Sequence, residues 1–132
     1  DFITSVSSPI DWRSPQNDYL WQGVNGINNP CPTGYRIPTE AELNNERLSW
    51  VQAPISSTSN AAGAFASPLK LSMAGGRDNS FGTISAAVGI IGFYWSSTVN
   101  NTNARRLFFS SDFAYMDTFN RASGFSVRCI KD

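Results

Sequence analysis

The chain contains no histidine, which removes in one step histidine general bases, Ser-His and Cys-His nucleophile pairs and the usual zinc and copper sites. Most hydrolase chemistry goes with them, and the sequence reads as non-enzymatic. Charge is scarce too: 15% of residues are charged, and ten basic and ten acidic side chains cancel to a formal net charge of zero, with a pI near 6.4. A phosphate backbone or an anionic bilayer needs a basic footprint that this balance does not supply, so neither nucleic acid nor a membrane surface is an expected partner. Long apolar runs are missing. The longest, Ile84 to Trp95, is broken by Ser85, Gly89 and Gly92 and is too short to span a bilayer. Asp1 opens the chain with nothing resembling a secretory leader, as expected of a soluble domain excised from a larger protein.

What remains is 132 residues, the size of a single domain over 1–132, able to bury about two thirds of the surface its unfolded chain exposes. Aromatic residues make up 13%, and the polar remainder is rich in Asn, Ser and Thr with ten Gly and seven Pro, a composition that favours turns and short strands over long helices. Cys31 and Cys129 lie 98 positions apart, too far for a metal knuckle or a redox C-x-x-C pair. They read as one bridge joining the early chain to the last strand, or as two inert buried thiols. A bridge would stabilise by up to about 4 to 5 kcal/mol through loop closure and would place the domain in an oxidising compartment.

Along the chain, 1–30 reads as an extended terminal strand and a loop in which Trp12 and Trp21 dock onto a core. Thr39, with Glu42 three residues on, forms a capping box for a helix reaching Trp50, with Ala41, Leu43, Leu48 and Trp50 as its apolar contacts. Residues 51–60 have no period and read as loop, followed by a helical turn at Asn60 to Ala66. Strands are expected at Pro68 to Met73, Thr83 to Gly89, Gly92 to Thr98, Ala104 to Phe109, Ala114 to Asp117 and Gly124 to Ile130, with a hairpin turn at Asn100 to Asn103 and another turn at Phe119 to Arg121. In the last strand Phe125, Val127 and Cys129 should share one face. Early helix followed by antiparallel sheet makes an α+β domain.

Three segments carry a further pattern: Asn29-Pro30-Cys31-Pro32-Thr33-Gly34-Tyr35-Arg36-Ile37-Pro38-Thr39-Glu40-Ala41-Glu42-Leu43, then Tyr94-Trp95-Ser96-Ser97-Thr98, and finally Gly124-Phe125-Ser126-Val127-Arg128-Cys129-Ile130-Lys131. In these the chain resembles, from about Asp11 to Lys131, the Fibrobacter succinogenes major paralogous domain, a bacterial extracellular module. That resemblance implies a C-type lectin-like fold, with an early helix packed on a twisted antiparallel sheet and Cys31 bridged to Cys129. The family is similar in turn to ligand-binding domains of bacterial adhesins, some of which use calcium, and to variable proteins of diversity-generating retroelements. It implies a non-catalytic surface module, monomeric when isolated, that binds a peptide, such as a chain terminus, or a cell-surface glycan. A retroelement-diversified binding surface and a structural assembly domain are the alternatives. The lectin-like fold also houses formylglycine-generating enzymes, but cysteines committed to a bridge leave no pair for that chemistry.

The C-terminal strands hold the candidate ligand contacts: Tyr94, Arg105, Arg106, Phe108, Ser110, Asp112, Phe113, Tyr115, Asp117, Phe119, Asn120 and Arg121. Strand alternation turns Ala114 and Met116 inward and Phe113, Tyr115 and Asp117 outward. Rigid aromatics flanked by polar groups suit a binding surface; the alternative is that two or three of these rings are core. Arg105, Arg106 and Arg121 suit a terminal carboxylate through bidentate contacts. Asp78 and Asn79 offer oxygens to Ca2+ but fall well short of six to eight ligands, so a plain turn competes with a metal site there; no cofactor is otherwise required. Arg36 and Arg128 read as structural partners of the helix carboxylates Glu40, Glu42 and Glu46.

Overall fold

The computed structural model describes residues 2–50, 59–85 and 87–132. Among these, the elements run β1 (Tyr35–Arg36), α1 (Glu40–Ser49), α2 (Ala61–Ala66), β2 (Gly92–Asn100), β3 (Asn103–Phe109), β4 (Ala114–Asn120) and β5 (Ile130–Lys131). Both helices precede the antiparallel sheet of β2, β3 and β4 instead of alternating with its strands, so the domain is α+β.

Helix α1 begins where the sequence says it should. Thr39 Oγ1 accepts from the Glu42 amide at 3.3 Å while Glu42 Oε2 accepts from the Thr39 amide at 2.8 Å, which satisfies two donors that a bare helix start would leave open. Its inward stripe is narrower than expected. Leu43 and Trp50, seven residues apart, lie almost in line along the axis and are buried; Leu48, five residues past Leu43, is rotated about 140° away and stays exposed with Ala41. The Asn60 side chain caps α2 by accepting from the Gly63 amide at 3.1 Å.

Strands β2, β3 and β4 form an antiparallel sheet in that order, and β1 pairs with β5 in a separate two-stranded ladder. The turn between β2 and β3 lies at Asn101 and Thr102, where Asn101 takes a φ of 51°, a left-handed conformation that asparagine tolerates. One sheet face carries Tyr94, Leu107 and Phe109, which pack with Leu43, Trp50, Ala64 and Leu71 into the core; Ala114 and Met116 flank it. Gly92 is required at its position. It faces the Phe109 ring across the ladder, and a Cβ there would lie 2.2 Å from Phe109 Cζ.

Three expected strands do not form. Around Pro68 to Met73 the chain folds back on α2: the Leu71 amide donates to the Ala64 carbonyl at 3.1 Å, so no neighbouring strand receives it. Among the described residues of Thr83 to Gly89 there is a single isolated bridge, Ile84 to Arg77. Gly124 to Ile130 touches its neighbours through single bridges at Gly124 and Ser126 and becomes regular only at Ile130–Lys131, so Val127 is exposed instead of sharing an inward face with Phe125. Strand β4, by contrast, outruns its expected end at Asp117 and absorbs Phe119 and Asn120, which moves the turn to Arg121 and Ala122. Of the expected loop at 51–60, residues 51–58 lie outside the described residues.

The Cys31–Cys129 disulfide is formed, with the two Cα atoms 5.7 Å apart. Beside it Arg36 bridges two carboxylates, meeting Glu42 through Nη1 and Nη2 at 2.8 and 2.7 Å and Asp132 through Nε at 2.5 Å. The Arg36 hydrogen bonds, opposed by partial burial and reinforced by Thr39, pull the Glu42 pKa down to about 2. A carboxylate held below its unfolded value, near 4.3, stabilises fully above that value and loses the contribution as pH falls through the folded one. Solvent screening of the 38% exposed Glu42 side chain keeps the effect modest. Melting temperature is therefore expected to fall on acidification from about pH 4.5 to 2, and Glu42→Gln should flatten that slope in a circular-dichroism titration. An unchanged slope would show that the pair contributes nothing.

Candidate functional site

The sheet face opposite the core is built from alternate residues of the same three strands. Its cross-strand rows read Phe93, Phe108, Tyr115 and then Trp95, Arg106, Asp117, with Ala104 opposite Phe119 beyond them. Arg106 sits at the centre of this face and is buried. Its Nε and Nη2 donate to the two carboxylate oxygens of Asp117 at 2.7 and 3.0 Å, a bidentate pair set by direct opposition in the ladder. The guanidinium also lies 4.1 Å from the ring centre of Phe119, 4.7 Å from Phe93, 4.8 Å from Phe125 and 5.6 Å from Phe108. Burying a charge is costly, and here the carboxylate and the electron-rich ring faces offset that cost together.

Phe125 arrives from the C-terminal segment. The Trp95 amide donates to the Ser126 carbonyl at 2.9 Å and the Ser126 amide to the Phe93 carbonyl at 3.1 Å, which fixes the segment alongside β2. The Phe125 ring then stacks on Phe93 and tilts against Trp95, both at 4.7 Å between centres. Next to this box lies a cavity of about 220 Å³, lined among others by Arg106, Phe93, Phe119, Phe125, Asn79 and Ser85.

At the β3–β4 end of the face three rings form a stepped stack. Phe108 lies 4.9 Å from Tyr115 and 5.8 Å from Phe113, Phe113 lies 5.8 Å from Tyr115, and the planes diverge by no more than 20°. Phe113 is 46% and Tyr115 43% exposed. An apolar step of this kind on a sheet surface offers rigid area to a ligand at little entropic cost.

The residues singled out from sequence do not all lie together. Phe108, Phe113, Tyr115, Asp117, Phe119 and Arg106 come together on this face. Tyr94 does not: it is a core residue, and its hydroxyl donates to the Ser72 carbonyl at 3.1 Å and accepts from the Ser72 amide at 3.0 Å. It alternates with Phe93 and Trp95 and so must point the other way. Arg105 likewise faces the helix side, where it pairs with Glu40 through Nε at 2.7 Å. Arg121 is held by Asp18 at 2.6 Å and by the carbonyls of Asn101 and Asn103, with Asp11 at 3.6 Å, so it fastens the N-terminal wrap to the β2–β3 turn. Ser110 and Asp112 make the β3–β4 turn, and Asn120 Oδ1 accepts from the Ser123 amide and hydroxyl.

Asp78 Oδ1 accepts from the Ser80 and Phe81 amides at 2.8 and 3.0 Å and so shapes a turn, while Asn79 Nδ2 donates to the Ser5 carbonyl at 2.8 Å and fastens the N-terminal segment to it. Among the described residues no group of three acidic or cysteine side chains converges on one point. Arg36 meets Glu42 as expected, whereas Arg128 is exposed.

Sequence reasoning missed Phe93, Trp95 and Phe125. The alternation of β2 was available as a signal for the first two, but their neighbours were not. Continuing the hairpin register from Asn100 and Asn103 would place Trp95 opposite Phe108; an irregularity between Trp95 and Val99 places it opposite Arg106. No known family model, curated protein or solved structure matches the chain.

Proposed function

We propose that this domain is a non-catalytic ligand-binding module of a bacterial surface adhesin, with a C-type lectin-like fold, that grips a peptide or a glycan on the outer face of β2, β3 and β4. The observation that carries the reading is the stack of Phe108, Phe113 and Tyr115, two of whose rings stay close to half exposed beside a buried arginine and its carboxylate. Large rings left close to half exposed contribute less to folding than fully buried ones, and they are the residues that dominate binding when a partner covers them. The disulfide supports an oxidising, extracellular setting. Among the described residues no helix is long and apolar enough to cross a membrane.

Phe113→Ala with Tyr115→Ala is the direct test. The pair should leave the melting temperature within a few degrees of the parent while weakening by at least about tenfold the binding of any peptide or glycan that stabilises the parent in a thermal-shift screen run with calcium and with chelator. Binding that survives both substitutions would move the site elsewhere.

A second reading, an assembly domain covered by a neighbour, draws on a different observation: Phe81, Ile84, Val88 and Ile90 are all exposed within one ten-residue segment. Light scattering on the eluting protein separates the two readings. A monomer at high concentration supports the module, and a stable oligomer supports assembly.

A further inference from the structure

The guanidinium of Arg106 is only partly used. Asp117 takes Nε and one side of Nη2. Among the described residues Nη1 has no acceptor, yet it is not sealed from solvent, because no buried side-chain donor there is left without a partner. Arginine carries five N–H groups in a rigid fork, so after a bidentate contact on the Nε edge the end formed by Nη1 and the outer N–H of Nη2 is free to take a second pair of oxygens. The side chain is 7% exposed and lines the 220 Å³ cavity beside the aromatic box. Ser85 lines it too. Its Oγ accepts from the Gly76 amide at 3.3 Å, and its own hydroxyl hydrogen donates to no described residue. Arg77 and Arg106 face this space against one carboxylate, Asp78, whose Oδ1 is turned to two backbone amides.

We infer that the free edge of Arg106 receives the terminal carboxylate of a peptide whose last residue is apolar. The inference rests on the binding-module reading and gives its ligand a chemistry. A carboxylate would complete the arginine fork, the Ser85 hydroxyl supplies a further donor, and the walls of Phe93, Phe119 and Phe125 take an apolar side chain. The volume lies below the roughly 300–1,000 Å³ of pockets for drug-sized ligands, which suits one terminal residue. The stack of Phe108, Phe113 and Tyr115 would then carry the residues before it.

The test uses the 15N-labelled 132-residue protein, the Arg106 Nε–Hε resonance assigned with Arg106→Lys, and three probes: N-acetylphenylalanine, its amide, and acetate. N-acetylphenylalanine should shift that resonance saturably and leave those of Arg105 and Arg121 in place. The amide should bind at least about tenfold more weakly, since a hydrogen-bonded pair of charges is replaced by neutral contacts, and acetate should be weaker as well for want of an apolar group. The lysine variant serves only the assignment, for which it must leave the other resonances in place, and the binding readout is on the parent protein. Equal binding of acid and amide, equal binding of acetate, or an Arg106 resonance that no probe moves overturns the inference. If a screened peptide or glycan shifts the Phe113 and Tyr115 amide resonances while Arg106 stays still, the module stands and only the carboxylate site falls; if none shifts either, both fall.

Discussion

Replacing Cys31 and Cys129 together by serine is expected to lower the stability of the folded chain by up to about 4 to 5 kcal/mol, a drop in melting temperature of roughly 15 °C. The size follows from the length of the loop: the bridge joins positions 98 apart, so in the reduced chain the unfolded ensemble regains nearly all the freedom that the link denied it. Little else can take over the work. The regular pairing beside the bridge is two residues long on each strand, and the core it closes is assembled from a handful of large side chains supplied by α1, α2 and the sheet. Urea unfolding of the double variant beside the oxidised parent measures the difference. A change below about 1 kcal/mol would mean that the reduced, unfolded chain is already held compact by contacts other than the disulfide.

The second large effect lies where Gly92 meets Phe109. Phe109→Ala should cost about 3 to 5 kcal/mol, because it removes a fully buried ring that packs edge-on against Trp50 and stacks over Tyr94. Gly92→Ala should cost about 1 to 3 kcal/mol or more for the opposite reason, since the new methyl would overlap the ring that the first substitution removes. The two changes therefore cannot add. In the double variant the alanine methyl enters space that the ring has vacated, and the combined loss should fall short of the sum by at least about 1 kcal/mol. Strict additivity in a thermal or urea series would show that the glycine is needed for its backbone and not for the approach of the ring.

Local signals in the sequence were reliable wherever one residue's chemistry decides the outcome. The Thr39 and Glu42 capping box, the Asn60 cap and the Asn101 turn all lie where a short-range hydrogen bond or a permissive backbone is enough. Pro68 to Met73 has a strand's composition, but its amides go to separate acceptors, Lys70 to the Ser67 carbonyl, Leu71 to the Ala64 carbonyl and Ser72 to the Tyr94 hydroxyl, and the last of these is brought there only by tertiary packing. At the candidate site the alternation of β4 separated Tyr115 and Asp117 from Ala114 and Met116 correctly. The same rule turns Arg106 away from Arg105, yet the expectation grouped all three arginines by charge and lost that distinction. The aromatic box was illegible for a different reason. It needs the irregularity in β2 and the return of Phe125 beside that strand, both of which are long-range consequences of packing.

The bridge between Cys31 and Cys129 also decides how the domain would carry tension. Pulled from its two ends, the chain passes load from residue 31 straight to residue 129 through a covalent bond, and roughly 330 Å of contour between them never comes under strain. What yields first is the wrap of residues 2–30, which is fastened by noncovalent contacts such as Ser5 on Asn79, Phe2 against Gly124, and Asp11 and Asp18 on Arg121. Strands β2, β3 and β4, with the face they present, lie entirely inside the shielded stretch. A partner seated there would pull against a surface that the stretching of its own tether does not deform.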